Sequence, residues 1–559
     1  MSTKSVKYSK QYTIGVDFGS LSARAVLMRV SDGEVVSTRV FEYPHGVLYD
    51  TLPAGTPLPP NWALQVPADY RNALHILIPR LMADTGVKPE QIIGLGLDVT
   101  STTMMPTTID GVPLCERINF VSEPHAYIKM WKHHAAQRQA DRILALAKAE
   151  NVPWLKQFGS FISGEHYLPK VAQIADEAPM LYEKCGRLVE VGDWLVWQLT
   201  GKESRNYCSA AYKMYYSKTE GDVSPGFLEK VNPLLKNLRS KLPPRVVMPG
   251  DVAGVISAEA SEFTGLLAGT PVSAAGVDAH VTSIGSKVTS EGDVLLIIGT
   301  STCIMMLSDE YREVDGINGV VPDGIMPGMN AYEGGQAAVG DIFAWFCENC
   351  VPQAYYEEAK QKNISIQQLL TAKASGKKPG ETGLIALDWI NGVRSTLMDF
   401  DLSGLICGVT LETKPEDIYR ALVEATAFGA WKIVSQLIKE GVAIDIVYAS
   451  GGIPLKNPML MQIYADVFNR DIFIIDDQYS AAVGSAILGF AASEKGGGFK
   501  NLGSIVEKYR HEPETVYHPI RENAAVYEKL FEIYSELYEE YGRRTDIMKR
   551  LRKIRGDTQ

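Results

Sequence analysis

The sequence predicts an α/β protein with mixed sheets, built from two related halves. Apolar runs of period two recur along the chain with helical stretches between them, as expected of sheets covered by helices. In addition, "YTIGVDFGSLSARAVLMRV" (12–30) and "DVLLIIGTSTCIMMLSD" (293–309) follow one plan: an apolar strand, a turn of glycine and hydroxyl residues, a second apolar strand. They lie ~280 residues apart, about half of the 559-residue chain. Hairpins are common, so for this pair alone duplication and coincidence stand level. At ~150 residues per domain the length admits three or four units, and large α/β folds use fewer.

Strands are expected at 12–17, 23–30, 92–98, 294–298 and 302–307. A helix is expected from Pro415 to Glu440. Thr413 and Glu416 fit a capping box, Pro415 the first turn and Gly441 the position past the end. Ile418, Leu422, Val434, Leu437 and Ile438 fall broadly on one face. Residues 521–555 read as one long helix ending in "KRLRKIR". That basic end suits a solvated last turn, favoured by the helix dipole, better than an anion site. The stretch "SEPHAYIKMWKHHAAQ" (122–137) reads as a histidine-rich helix.

Composition narrows the function classes. Hydrophobic residues make up 46% and charged residues 22%, an ordinary globular balance. A net charge of -11 argues against a nucleic-acid partner. It still permits a phosphate ligand at a local or metal-bridged site. Seven cysteines in so long a chain do not suggest a disulfide framework. Cys347 and Cys350 form a C-x-x-C without the setting of a redox or zinc motif. The opening "MSTKSVKYSKQ" has no apolar signal core, and no run of ~18 apolar residues occurs. A cytoplasmic protein without a membrane partner is expected.

Gly-Ser and Gly-Thr turns suit phosphate, because successive N–H groups can converge on an anion and glycine allows close approach. No P-loop is present; "TGKES" (200–204) comes nearest and lacks its first glycine and its Ser/Thr. His133 and His134 are adjacent, so on a helix they would point about 100° apart and could not share one ion. Asp17 has two readings. It could accept local N–H bonds in a turn, or be oriented on hydrated Mg²⁺ beside a polyphosphate. Taken alone, the turn reading wins. Gly451-Gly452 follows an apolar strand and precedes a helix, as in a nucleotide turn or, more simply, any βα loop. Asp278, in "AAGVDAHVTSIGS", could accept a proton from a substrate hydroxyl or cap the helix expected near His280. Without further context the cap is preferred.

In this order, "DFGSLSAR", "GVDAH", "IGTST" and "SGGIPLKNPMLMQIYADVF" resemble the phosphate, catalytic, second phosphate and adenosine motifs of the FGGY carbohydrate kinases. The resemblance runs over about residues 11–540. It implies two actin/hexokinase-like (ribonuclease H-like) ATPase domains around a central cleft. Residues 11–285 would carry the sugar and the base, 286–540 the ATP, and 541–559 a basic tail. Asp17 would orient Mg²⁺, with Gly19, Ser20 and Arg24 at the phosphate site. Asp278 would be the general base. Gly299 and Thr300 would hold the β- and γ-phosphates, with Gly340, Gly452 and Asn457 facing the nucleotide. Lys213 and Glu333, with Asp278, would bond the sugar hydroxyls, and Trp131 would wall the sugar. Against this, Trp131 could be plain core, and Lys213 and Glu333 an exposed pair of little consequence.

"SEPHAYIKMWKHHAAQ", "NYCSAAYKMYY", "YEGGQAAVGDIFAWF" and "LDWINGVRS" narrow the resemblance to the bacterial branch that phosphorylates L-ribulose in arabinose breakdown. Ser101 stands where that branch carries a small residue such as Ala or Gly, lining the sugar pocket. Expected partners are therefore L-ribulose and ATP, and a homodimer is one possible assembly. The alternatives are a kinase for D-ribulose, D-xylulose or ribitol, or an actin-like protein without transfer activity.

Overall fold

The computed structural model describes residues 10–476, 479–510, 513 and 515–555. Two seven-stranded sheets organise the chain. In the first, strand Tyr12–Phe18 pairs antiparallel with Ser22–Arg29, which pairs antiparallel with Val35–Glu42. On its other side Tyr12–Phe18 pairs parallel with Ile92–Val99, and that strand with Pro271–Ser273. The second sheet repeats the plan. Asp293–Ile298 and Thr302–Ser308 form the antiparallel hairpin, Asn330–Gln336 extends it, and Ile446–Ser450 and Ile472–Ile474 follow in parallel. All five expected strands are present, and the echo between the hairpins is an echo of whole sheets.

The parallel strands are buried because both faces of their sheets are covered. Ile14, Val16, Leu95 and Leu97 are fully buried in the first sheet, and Val294, Leu296, Val447 and Ala449 in the second. A third core lies between them in sequence. It gathers Trp62, Tyr127, Phe158, Tyr182 and Leu235 around a small four-stranded sheet that includes Met104–Thr107, Ile128–Lys129 and Arg187–Glu190.

One late helix, Ser480–Ala491, packs on the first sheet rather than the second. Glycines make the approach possible. A Cβ at Gly15, Gly94 or Gly96 would overlap the backbone oxygen of Ala482, Gly489 or Ser485. The same helix lies against Asp278–Gly285, where a Cβ on Gly285 would overlap Ser480.

Several local expectations shift. The helix Pro415–Lys439 is present, and Gly441 adopts φ +88° past its end. Its cap is one residue later than expected: Lys414 N donates to Asp417 Oδ2 at 2.8 Å. Thr413 Oγ1 instead accepts from Thr410 N, and Glu416 takes the Tyr355 hydroxyl. Leu422, Val434 and Leu437 are buried, but Ile438 is 37% exposed. Residues 521–555 form two helices, Arg521–Glu539 and Ile547–Arg555, separated by a wide turn at Glu540–Arg544. Gly542 sits in that turn, where a Cβ would overlap Leu397 Cδ1. Of the basic tail, residues 556–559 lie outside the described residues. The histidine-rich stretch 122–137 is not a helix. It holds one short 3₁₀ turn, Pro124–Ala126, the strand Ile128–Lys129 and further turns, and the next helix begins at Gln137.

Candidate active site

A cavity of about 520 Å³ opens where the first sheet, the Asp278 helix and the second hairpin meet. Its wall includes Asp17, Gly19, Ser20, Arg24, Ser101, Trp131, Lys213, Asp278, Gly299, Thr300 and Glu333. Eleven expected site residues, from Asp17 to Glu333, thus share one space.

The acidic end is built by sheet register. Asp17 lies within its strand, opposite Arg24 on one side and Asp98 on the other. Arg24 Nη1 donates to Asp17 Oδ2 at 3.2 Å. Asp17 therefore does not take the local backbone bonds of a turn aspartate. Burial pushes its carboxyl up, and Arg24 partly opposes that. Asp98 is fully buried and held well above the usual range by burial and then by the charge of Asp17. Ser485 Oγ donates to its Oδ2 at 2.6 Å. A protonated Asp98 beside an ionised Asp17 is what these neighbours favour. Among the described residues no group of three or more His, Cys, Asp or Glu could hold a metal on its own. The donor set fits a hard cation carried by one or two carboxylates, with its other positions left to water and phosphate.

Asp278 is the first residue of its helix and, among the described residues, its side chain accepts only from its neighbour, Ala279 N, at 2.8 Å. It is not the cap, which falls on Val277. Burial, then the charge of Asp17, raises its carboxyl to about 7. That is far from the ordinary ~3.9 and close to the value that suits a general base at neutral pH.

Beside it stands a buried polar cluster. Lys213 Nζ donates to Glu333 Oε1 at 2.7 Å, and Asn318 Nδ2 donates to the same oxygen at 3.1 Å. His280 Nε2 meets Glu333 Oε2 at 2.9 Å, and its Nδ1 meets Cys208 Sγ at 2.8 Å. Burial alone would raise Glu333, but Lys213 and His280 hold it well below the usual range. Burial alone would lower His280, but Cys208 and Glu333 push it up to about 10. The Lys213–Glu333 pair is therefore a buried, networked pair and not a surface one. Trp131 is half-buried, and its Nε1 donates to Ser20 Oγ at 3.0 Å, so it is wall rather than core.

The second hairpin turn is made of Gly299, Thr300 and Ser301. Val339 N donates to Thr300 O at 2.8 Å and Gly340 N to Gly299 O at 3.0 Å, so the helix Gly340–Cys350 starts against this turn. Gly451, at φ +107°, follows Ile446–Ser450 and passes so close to Ile298 O that a Cβ would overlap it. Gly452 opens the next short helix, and Asn457 Oδ1 caps the one after it, accepting from Leu460 N. Gly340 lies against the Gly299 turn, and none of Gly340, Gly452 and Asn457 is in the cavity wall. Periodicity alone could not find Asp98, His280 or Asn318. The only signal for His280 was its place two residues after Asp278 in "GVDAH".

Residues 12–285 match the FGGY family of carbohydrate kinases, N-terminal domain, and residues 294–493 match its C-terminal domain. The chain belongs to the FGGY carbohydrate kinases. It is thus a phosphotransferase acting on sugars. A protein named ribulokinase from Bacillus licheniformis is 46% identical over 539 residues, covering 96% of this chain and 98% of that one. One of the same name from Geobacillus thermodenitrificans is 43% identical over 547 residues, covering 97% of each. Among solved structures, xylulose kinase from Rhodospirillum rubrum aligns with a TM-score of 0.77 at 23% identity, covering 94% of this chain and 98% of that one. Gluconate kinase from Lactobacillus acidophilus gives 0.77 at 20%, covering 96% and 100%. At such identity the likeness speaks for the fold, which is the two-lobed actin/hexokinase-like one expected.

Proposed function

We propose that this FGGY kinase transfers the γ-phosphoryl group of ATP to L-ribulose, giving L-ribulose 5-phosphate and ADP. The observation that carries the reading is full-length similarity to two ribulokinases, joined to a cavity in which a sugar-sized polar cluster adjoins a glycine-hydroxyl turn. Lys213, Glu333 and Trp131 hold the sugar. Asp278 takes the proton of the terminal hydroxyl as its oxygen bonds to the γ-phosphorus and the bond from that phosphorus to ADP breaks. Gly299 and Thr300 receive the β- and γ-phosphates, Gly19, Ser20 and Arg24 complete the phosphate site, and Gly340, Gly452 and Asn457 line the path of the nucleotide. Asp17 would hold Mg²⁺, which when bound neutralises charge developing on the phosphates. Closing the lobes would exclude water, the competing acceptor.

We read the enzyme as cytoplasmic, with a small sugar and ATP as its partners. No described helix is long and apolar enough to cross a membrane. Sedimentation distinguishes a homodimer from a monomer. The deciding experiment is a coupled ADP-release assay with L-ribulose, D-ribulose and both xyluloses, with ribitol as the polyol control. The highest kcat/KM is expected for L-ribulose; a strong preference for ribitol would sink the reading.

A further inference from the structure

Three buried side-chain atoms on the cavity wall have no hydrogen-bond partner among the described residues: Ser101 Oγ, Glu165 Oε1 and Arg394 Nε. Buried polar groups are nearly always paired, so three exceptions in one cavity call for a ligand explanation. Two of them belong to the two members of one ion pair. Arg394 Nη2 lies 3.6 Å from Glu165 Oε1, within Coulomb range but beyond hydrogen-bond length. The His134 imidazole, which burial keeps toward its neutral form, has its Nε2 3.5 Å from the same oxygen. Both partners are largely buried, at 12% and 17% side-chain exposure. The Arg394 guanidinium also lies 5.7 Å from the centre of the Trp131 ring.

Pairs kept for the fold look different here. Arg420–Glu424, outside the cavity wall, closes to 2.9 Å, and even Lys213–Glu333 within the wall closes to 2.7 Å. The Glu165–Arg394 pair stays open, leaving one donor and one acceptor unused beside the sugar-side residues. A phosphate or carboxylate would suit Arg394 and be repelled by Glu165, and an amine would do the reverse. A neutral hydroxyl suits both, because it accepts and donates at once.

We infer that Glu165 and Arg394 are sugar-binding residues, with Arg394 Nε donating to, and Glu165 Oε1 accepting from, one hydroxyl or two neighbouring hydroxyls of the substrate. Glu165 belongs to the N-terminal family match and Arg394 to the C-terminal one. A sugar held by both therefore joins the two lobes. Burial alone would raise Glu165, but the Arg394 charge above all holds it below the usual carboxylate range, so it stays an acceptor at neutral pH. The inference rests on the sugar-kinase assignment of this cavity and deepens it.

The test compares the parent with Arg394→Lys, which keeps the charge and removes the Nε donor, and with the isosteric Glu165→Gln. Each is assayed with L-ribulose and with its 1-deoxy, 3-deoxy and 4-deoxy analogues. Each variant is expected to raise the sugar KM by roughly 10- to 100-fold, the effect of losing a charged hydrogen bond. The ATP KM should stay within about twofold. One deoxy analogue should be poor for the parent yet lose little further in the variant, the signature of a direct contact. A sugar KM within about threefold of the parent's overturns the inference. So do equal rises in both KM values, or penalties that simply multiply for all three analogues. If Arg394→Lys fails to fold, Glu165→Gln decides by the same criteria. A parent with no sugar-dependent ADP release overturns the functional reading as well; an active parent with unaffected variants overturns this inference alone.

Discussion

The two sheets share a lattice and differ in what they hang on it. In the first, Asp17 is flanked in register by Arg24 and Asp98. In the second, the residue next to last in the leading strand is Ile297, flanked by Cys303 and Ser450. Three ionisable side chains on one side thus face an aliphatic side chain, a thiol and a hydroxyl on the other. The turns beyond them are both of glycine and hydroxyl residues. Backbone turns can meet phosphate from either lobe, but the charge proposed to handle a metal and a proton is concentrated in one. A neutral second hairpin also avoids placing a carboxylate against the triphosphate.

Removing the base should have the largest effect. Asp278→Asn is expected to lower kcat on the order of a thousandfold while the Kd for an ATP analogue, from calorimetry, changes little. Near-normal turnover would remove Asp278 from that role. Next comes the acidic side itself. Asp17→Asn should lower kcat/KM about a hundredfold and raise the Mg²⁺ concentration for half-maximal rate. Ile297→Asp, which moves the acid to the other lobe, should raise the ATP KM on the order of tenfold through like-charge repulsion. Unchanged ATP kinetics there would break the comparison.

The pH profile is a gentler probe. As the proposed base Asp278 would work deprotonated, so kcat/KM for the sugar should rise about tenfold per pH unit below about 7 and level off above it. Its folded pKa lies above the unfolded ~3.9, so stability falls as pH rises from about 4 to about 7. Asp278→Asn should therefore raise Tm by a few degrees at pH 8 and not at pH 4. The smallest effects belong to the glycines. A Cβ at Gly340 would sit 2.8 Å from Gly299 O, so Gly340→Ala should lower Tm by several degrees. At Gly452 a Cβ would meet nothing within 4 Å, so Gly452→Ala should leave Tm unchanged and raise only the ATP KM, by a few-fold.

The strands were legible because alternation and glycine-hydroxyl turns are local signals. The same holds for the Pro415–Lys439 helix, misjudged by one residue at its cap, where Asp417 and Glu416 compete for one role. Longer-range packing was not legible. Leu397 fills the space beside Gly542 in the wide turn that interrupts the terminal helix, the helical run ends at extended Thr545, and the stretch around Trp131 gives up helix to wall the cavity. Asp278 looked like a cap because its sequence neighbours hide the charge of Asp17. Glu333 and His280 are 53 residues apart, and only folding makes them partners. The actin-like architecture itself was not in the periodicity; the order of the four motifs carried it.

The helix Ser480–Ala491 has a consequence for synthesis on the ribosome. The glycine-lined face of the first sheet is complete once Gly276–Val277 has emerged, but the helix that covers it is encoded roughly 200 residues later. At typical elongation rates that is a wait of roughly 10–40 s. During that time a nascent chain carries an uncovered, backbone-exposed surface in an otherwise finished lobe. An early stop after residue 285 would leave it uncovered for good, a natural landing place for chaperones and a seed for aggregation.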